Sequence, residues 1–304
     1  MRLKDLPDRA EFVSGDSACA GCMASNIAIN VMRILGKKTI VSVPPCCLSV
    51  FGGTFPNLNW DVPYFHLQFA NTASTVTGIS RALKAQNKED IVVLGMAGDG
   101  GTADIGLQAL SGAAQRDENI LYICYNNQAY ENTGIQASGL TPYGSWSTTT
   151  PVKGKSKGNE WFPKDIPRIL IAHEATYVAT ASTAYIQDFI NKIEKAKKMK
   201  GFRYIEVLSI CTPGWKVPTH LGPQLAKEAV ESGYWLLIEY ENGRVKINRK
   251  PKFTGLEEFL SKQGRFKNIT PEQVEKLKEY IDRRWKIYRG LEKATNLDES
   301  IKND

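Results

Sequence analysis

The amino-acid sequence predicts an α/β fold: a mostly parallel sheet with helices on both faces, and a helical arm at the C-terminal end. Three observations carry that prediction. Residues 91–96 and 120–125 are short, nearly continuous apolar runs, the pattern of buried strands. Residues 105–116, between them, repeat apolar side chains at helical spacing. Each run stops at turn-forming residues, Gly98-Asp99-Gly100 after the first and Asn126-Asn127 after the second. Strand, loop, helix and strand in that order make a parallel unit.

The other elements follow the same reasoning. Residues 72–85 read as a helix entered from Phe65-His-Leu-Gln-Phe-Ala-Asn71. Residues 169–180 read as a helix followed by a strand, 188–200 as a helix with its basic residues outward, and 204–210 as a strand. Residues 148–161 form a polar, basic loop expected to wrap the site or a partner. Beyond Gly243 the pattern changes, and residues 271–291 form a charged, amphipathic helix expected to lie as an arm on a neighbouring subunit. The expected division is a domain over 1–245 and an extension over 246–304.

Composition narrows the class. The chain has 304 residues, 42% of them hydrophobic, enough for one large α/β domain or two small ones. The net charge is +7, but the Lys and Arg residues are scattered and concentrated late, mostly on helix faces. They read as solvated surface facing an acidic protein partner, not as a nucleic-acid site. The opening Met1-Arg-Leu-Lys-Asp-Leu-Pro is too polar for a secretory leader, and no apolar run spans a bilayer. A cytoplasmic protein away from membranes is expected.

Asp99 and Asn127 fall at the carboxyl ends of two strands, where open α/β sheets bind ligands. One carboxylate with neutral oxygens suits Mg²⁺, which completes its octahedron with phosphate oxygens and water. An acid and an amide so arranged are the diphosphate-anchoring signature of enzymes that use thiamine diphosphate. The competing reading is an Asn-Asn turn capping local backbone. Gly98, Gly100 and Gly101 would let main-chain amides approach the diphosphate. Thr102 and Asp104 are expected to start the next helix, whose N-terminus favours anions, with Asp104 as a capping residue.

Six cysteines are present: Cys19, Cys22, Cys46, Cys47, Cys124 and Cys211. Cys124 lies within an apolar strand and is expected to be buried packing. The others lie in loop-like contexts, and grouped thiols in a cytoplasmic chain point to metal. Zinc, a [4Fe–4S] cluster and a redox dithiol at Cys19-Ala-Gly-Cys22 are the alternatives. One close pair followed by scattered single ligands suits a cluster better than zinc.

Five stretches between them resemble one family: Cys19-Ala-Gly-Cys22, residues 98–112, residues 125–136 (Tyr-Asn-Asn-Gln-Ala-Tyr-Glu-Asn-Thr-Gly-Ile-Gln), residues 141–150, and Cys211-Thr-Pro-Gly-Trp215. From about residue 10 to about 245 the chain resembles the β subunits of the 2-oxoacid:ferredoxin oxidoreductases, most closely the pyruvate and branched-chain type. The resemblance implies the diphosphate-type domain of the thiamine-diphosphate-binding fold. It implies a [4Fe–4S] cluster on Cys19, Cys22, Cys47 and Cys211, with Cys46 as the alternative to Cys47. Cys46 stands where the family usually has Gly, Met23 where it often has Gly, and Asp16 near where it usually has His. It further implies Mg²⁺ on Asp99, Asn127 and the carbonyl of Ala129. Tyr130 would pack against the cofactor, with Asn132, Thr133 and Asn71 nearby, and Asn132 would touch the substrate.

The implied reaction is coenzyme-A-dependent oxidative decarboxylation of a 2-oxoacid, pyruvate first, with electrons passed to ferredoxin. Branched-chain, aryl and oxalate-type relatives share much of the pattern. No motif supplies the Glu that activates the aminopyrimidine. The resemblance assigns it to an α subunit, within a complex that also holds γ and δ chains. His66 reads equally as an interior residue or a functional one, while His173 and His220 lack metal-ligand spacing. Two other classes stand beside this one: a thiamine decarboxylase or synthase without a cluster, and a non-catalytic subunit with a degenerate site.

Overall fold

The computed structural model of the protein describes residues 2–154 and 156–296. The first helix, α1 (Met23–Leu35), buries Ile27, Val31 and Leu35 on one face and stops at Gly36, whose φ of 73° breaks it. Next come β1 (Thr39–Val43), the short α2 (Cys47–Phe51), β2 (Tyr64–His66) and α3 (Thr72–Ala85). The central unit is β3 (Val92–Gly98), α4 (Asp99–Ala103), α5 (Leu107–Gln115) and β4 (Ile120–Asn126). A two-residue-per-strand hairpin, β5 (Val152–Lys153) and β6 (Ser156–Lys157), sits within the basic loop. Then follow α6 (Ile166–Ile171), β7 (Tyr177–Ser182), α7 (Ile186–Lys198), β8 (Phe202–Leu208), α8 (Gly222–Glu231), β9 (Ile238–Glu241), β10 (Arg244–Ile247), α9 (Leu256–Ser261) and α10 (Pro271–Asn296).

Eight strands form one sheet in the order β10-β9-β7-β8-β4-β3-β1-β2. The six strands from β7 to β2 run parallel, while β9 and β10 add antiparallel at one edge. Side chains alternate across the sheet, so β4 sends Ile120, Tyr122 and Cys124 into one core and Leu121, Ile123 and Tyr125 into the other. The second core is closed by α1 and α7, and the first by α3, α5, α8 and α10. Every residue of β4 is buried, which is why its sequence is a continuous apolar run.

Two expectations are corrected. The helix expected over 105–116 is α5 (Leu107–Gln115), and a separate short helix, α4, precedes it, the two parted at Asp104, whose φ and ψ are −108° and −96°. Helical structure therefore begins at Asp99, with Thr102 inside α4 and Asp104 at its C-terminal end. The arm is corrected as well. Helix α10 lies on its own chain, with Leu277, Ile281, Trp285 and Tyr288 forming a stripe buried in the first core. Trp285 donates to the Gly233 oxygen at 2.8 Å and Tyr288 to Asp165 at 2.7 Å. The boundary at 245/246 falls inside β10, and of the extension, residues 297–304 lie outside the described residues.

Helix α10 also covers the edge of the sheet. The main-chain amides of Val245 and Ile247 on β10 donate to Thr295 and Glu292, at 3.0 and 2.7 Å. Amides that face outward from a sheet edge are thus satisfied by helix side chains. No described helix is long and apolar enough to cross a membrane.

Candidate cofactor and metal site

The sheet order decides what the site can contain. The carboxyl ends of β8, β4, β3 and β1 are adjacent, and they lead into Cys211, Asn127, Asp99 and Cys46-Cys47 respectively. An acid, an amide and two groups of thiols are so gathered at one end of the sheet.

Asp99 is 1% exposed, and no cation pairs with it among the described residues. The Ser138 hydroxyl donates to its Oδ2. Burial pushes the Asp99 carboxyl well above its usual range, the Ser138 bond opposes this, and Glu131 nearby adds to it. An ionised carboxylate so buried requires a positive partner. The amide end of Asn127 lies 2.6 Å from Asp99 Oδ1 and 2.9 Å from the Ala129 carbonyl oxygen. With its nitrogen inward the amide donates to both. With its oxygen inward, three oxygens converge. Adjacent oxygens of a Mg²⁺ octahedron with bonds of about 2.0–2.1 Å lie about 2.9 Å apart. The donor set thus fits the hard cation expected from the sequence.

The glycines also make room for neighbouring rings. A Cβ on Gly100 would stand 2.2 Å from the Tyr130 ring, so glycine is required there for that ring to lie on the loop. Gly98 faces Tyr125, and Gly101 has ordinary space beside Pro44 and Phe69. Tyr130 donates to Asp104 at 2.7 Å, and its ring lies 5.8 Å from that of Phe69. Asp104 sits at the C-cap of α4 and does not cap the N-terminus of a helix. It accepts from Tyr130, from the Gly139 amide and from Lys164.

Asn132 is exposed, and among the described residues nothing hydrogen-bonds its side chain. Thr133 is also exposed and donates its hydroxyl to Gln136 at 2.6 Å. Asn71 precedes α3 and donates to Gln68 at 3.4 Å. The adjoining Phe69 and Ala70 border Gly101 and Gly106. His66 is exposed and not interior, its ring held by the Val43 oxygen at 3.0 Å. His173 bonds Ser111, and Cys124 is fully buried, as expected.

All six cysteines are free. Burial pushes the Cys47 thiol up, and Cys46, Cys22, Glu131 and Cys19 push it further when charged. Cys211 is raised likewise by burial, Glu131 and Cys47, and Cys22 by burial and, more weakly, Cys19 and Asp16. Cys47 thus lies within electrostatic reach of Cys19, Cys22 and Cys211. The loops are fastened together: Thr212 donates to the Ala20 oxygen at 2.8 Å. Cys46 faces elsewhere. Burial raises it as well, but its thiol meets Tyr125 and the amides of Ser49 and Leu48. Of the two neighbours, Cys47 is the one that faces the other thiols. Such a set suits a thiolate-bound cluster, whose charge stabilises the deprotonated sulfurs. Among the described residues, no three His, Cys, Asp or Glu side chains converge as tightly as a single metal ion needs.

Sequence reasoning missed Ser138, Gln128, Glu131 and Arg265. Glu131 lies between the two halves of the site, against Gly214 and beside Cys211, and burial pushes it up to about 7. Thr141 donates to the Gln128 oxygen at 2.7 Å, so part of the Thr-rich stretch supports the loop that carries Asn127 and Ala129.

Comparison with known proteins agrees with this geometry. Residues 47–207 match the family described as thiamine pyrophosphate enzyme, C-terminal TPP binding domain. The chain is 43% identical over 296 residues to the ketoisovalerate oxidoreductase subunit VorB of Pyrococcus furiosus, covering 94% of each chain. It is 43% identical over 278 residues to the pyruvate synthase subunit PorB of Methanothermobacter thermautotrophicus, covering 91% of this chain and 96% of that one. A 2-oxoglutarate:ferredoxin oxidoreductase from Magnetococcus marinus has the same fold, with a TM-score of 0.56, 22% identity, and coverage of 75% of this chain and 80% of that one.

Proposed function

We propose a complete reaction for this chain, which belongs to the β subunits of the thiamine-diphosphate-dependent 2-oxoacid:ferredoxin oxidoreductases: with its sister subunits, in the cytoplasm, it converts pyruvate and coenzyme A to acetyl-CoA and CO₂ and passes two electrons to ferredoxin. One observation carries the reading. The oxygens of Asp99, Asn127 and Ala129 and the thiols of Cys19, Cys22, Cys47 and Cys211 share one end of the sheet.

Thiamine diphosphate, when bound, supplies an electron sink for the loss of CO₂ from a 2-oxoacid. Asp99, Asn127 and Ala129 would hold the Mg²⁺ that grips its diphosphate. Gly98, Gly100 and Gly101, beneath Tyr130, shape the loop that receives it, and Asn71 and Thr133 border it. Asn132, exposed and unengaged at the rim, is positioned to donate to the substrate. The four cysteines would hold a [4Fe–4S] cluster within electron-transfer reach. The activating Glu comes from the α subunit, so this chain alone is inactive, and γ and δ subunits complete the complex.

Pyruvate is favoured by the Asn132-Thr-Gly-Ile-Gln136 and Thr141-Pro-Tyr-Gly144 stretches. A second reading, a branched-chain 2-oxoacid, is supported by relatives of equal identity named for ketoisovalerate. The test is coenzyme-A-dependent viologen reduction by the anaerobically isolated complex, with pyruvate, branched-chain and aryl 2-oxoacids and oxalate. Preference for pyruvate supports the first reading, and preference for another acid moves the subgroup. Inactivity with all of them, despite bound iron and thiamine diphosphate, overturns both.

A further inference from the structure

Gln128 lies between Asn127 and Ala129, two of the three proposed Mg²⁺ donors, and its φ is +70°. A side chain in the left-handed region must be held there by its surroundings. Gln128 is held at three points. Its amide N–H donates to Asn126 Oδ1 at 3.0 Å, and its carbonyl accepts from Thr141 at 2.7 Å. Its side-chain oxygen accepts from Arg265 Nη2 at 2.7 Å and Tyr234 at 3.2 Å.

Arg265 comes from the C-terminal extension and is 4% exposed. Its guanidinium lies 3.5 Å from the centre of the Trp215 ring, and its Nε donates to Gln263 at 3.0 Å. Its main-chain N–H donates to Trp215 and its carbonyl accepts from Trp146, at 3.4 and 2.8 Å. The preceding Gly264 permits the approach, because a Cβ there would stand 2.7 Å from that of Lys216. Among the described residues no carboxylate forms an ion pair with Arg265; Glu131 and Asp99 act on it only at longer range. A cation buried in this way is costly to desolvate, and a packed apolar side chain would stabilise the fold at least as well. Two of its fixed partners, Gln128 and the Trp215 ring, point to a task in placing the metal loop.

We infer that Arg265 is a positioning residue: by holding Gln128 in its left-handed turn, it sets the Asn127 amide and the Ala129 carbonyl for Mg²⁺ and links the C-terminal extension to cofactor retention. This rests on the reading above that these oxygens bind Mg²⁺ with thiamine diphosphate.

The test uses the whole complex, stripped of thiamine diphosphate and Mg²⁺, carrying wild-type β chain, Arg265→Met, Gln128→Gly or both. Glycine at 128 removes the anchor without straining the turn. Thiamine diphosphate retention is measured by dialysis against rising Mg²⁺, alongside iron content and melting temperature. Each single variant is expected to raise the half-saturating Mg²⁺ by about 10–100-fold, as loss of support behind a metal ligand does. The double variant is expected to do no worse than the worse single, because both break one link.

A merely structural Arg265 would lower melting temperature and iron content with an unchanged Mg²⁺ requirement, or give losses that multiply in the double variant. Either result overturns the inference. If Arg265→Met fails to assemble, Gln128→Gly decides, and a wild-type Mg²⁺ requirement in it overturns the inference. A wild-type complex with no Mg²⁺-dependent retention overturns the reading of the site and the inference together. Normal retention in wild type with unmoved variants overturns only the inference.

Discussion

Trp215 donates its indole N–H to the main-chain oxygen of Asn127 at 2.8 Å, tying the loop that follows Cys211 to the loop that carries the candidate metal amide. Both groups are buried, so neither can turn to water instead. Trp215→Phe keeps most of the ring and removes the donor. Leaving a buried acceptor unpaired costs about 1–3 kcal/mol. The expected outcome is an unfolding free energy lower by that amount, read as a lower urea midpoint, with weaker thiamine diphosphate retention. An unchanged midpoint would mean that the bond contributes nothing.

Cys46 and Cys47 are neighbours with different surroundings. The first is turned to Tyr125 and the start of α2, and the second faces Cys22 and Cys19. Cys47→Ser is expected to abolish bound iron and acid-labile sulfide in the complex. Cys46→Ser is expected to keep both. The reverse result would assign the ligand to Cys46.

Glu206 is 5% exposed, accepts from Asn126 at 2.7 Å and Tyr204 at 3.1 Å, and is pushed by burial from 4.5 up to about 7. Its folded value lies above its unfolded one, so the folded chain binds the proton more tightly. That stabilisation is complete below pH 4.5 and is lost as pH rises through about 7. Glu206→Gln keeps an acceptor and cannot ionise. Between pH 4.5 and 8 its stability should gain on the wild type by up to about 3 kcal/mol, read from urea unfolding at each pH. Parallel curves would show that Glu206 does not titrate in this range.

Trp285 of α10 is 2% exposed, donates to the Gly233 oxygen, and meets Phe253 edge-on at 5.0 Å. If the extension is part of the domain, Trp285→Ala should cost about 3–5 kcal/mol of stability, the range for a fully packed indole. An arm resting on a neighbouring subunit would lose far less in this chain by itself. Urea unfolding of the variant separates the two.

The parts of the fold that were legible are those whose cause is local. β3 and β4 are continuous apolar runs because both faces of the sheet are covered, and Asp99 and Asn127 stand directly at their ends. The break between α4 and α5 was hidden because its cause is tertiary: Tyr130, Gly139 and Lys164 draw the Asp104 carboxylate out of the helix. Ser138 lies 39 residues from Asp99 and Arg265 lies 137 from Gln128, and no periodicity links positions so far apart. The position of α10 was misjudged because an amphipathic stripe specifies that one face is covered and not by what.

The two flanks of the sheet are treated differently. On the β10 side, Thr295 and Glu292 occupy the outward amides of Val245 and Ile247. On the β2 side the sheet ends in a short strand with Phe65 and His66 exposed. A chain made before its sister subunits arrive therefore has one flank that strangers cannot join by strand pairing. The edge left for strand pairing is that of β2. The long closing helix works as a stopper on that flank, so β10 is withheld from edge-to-edge stacking between copies.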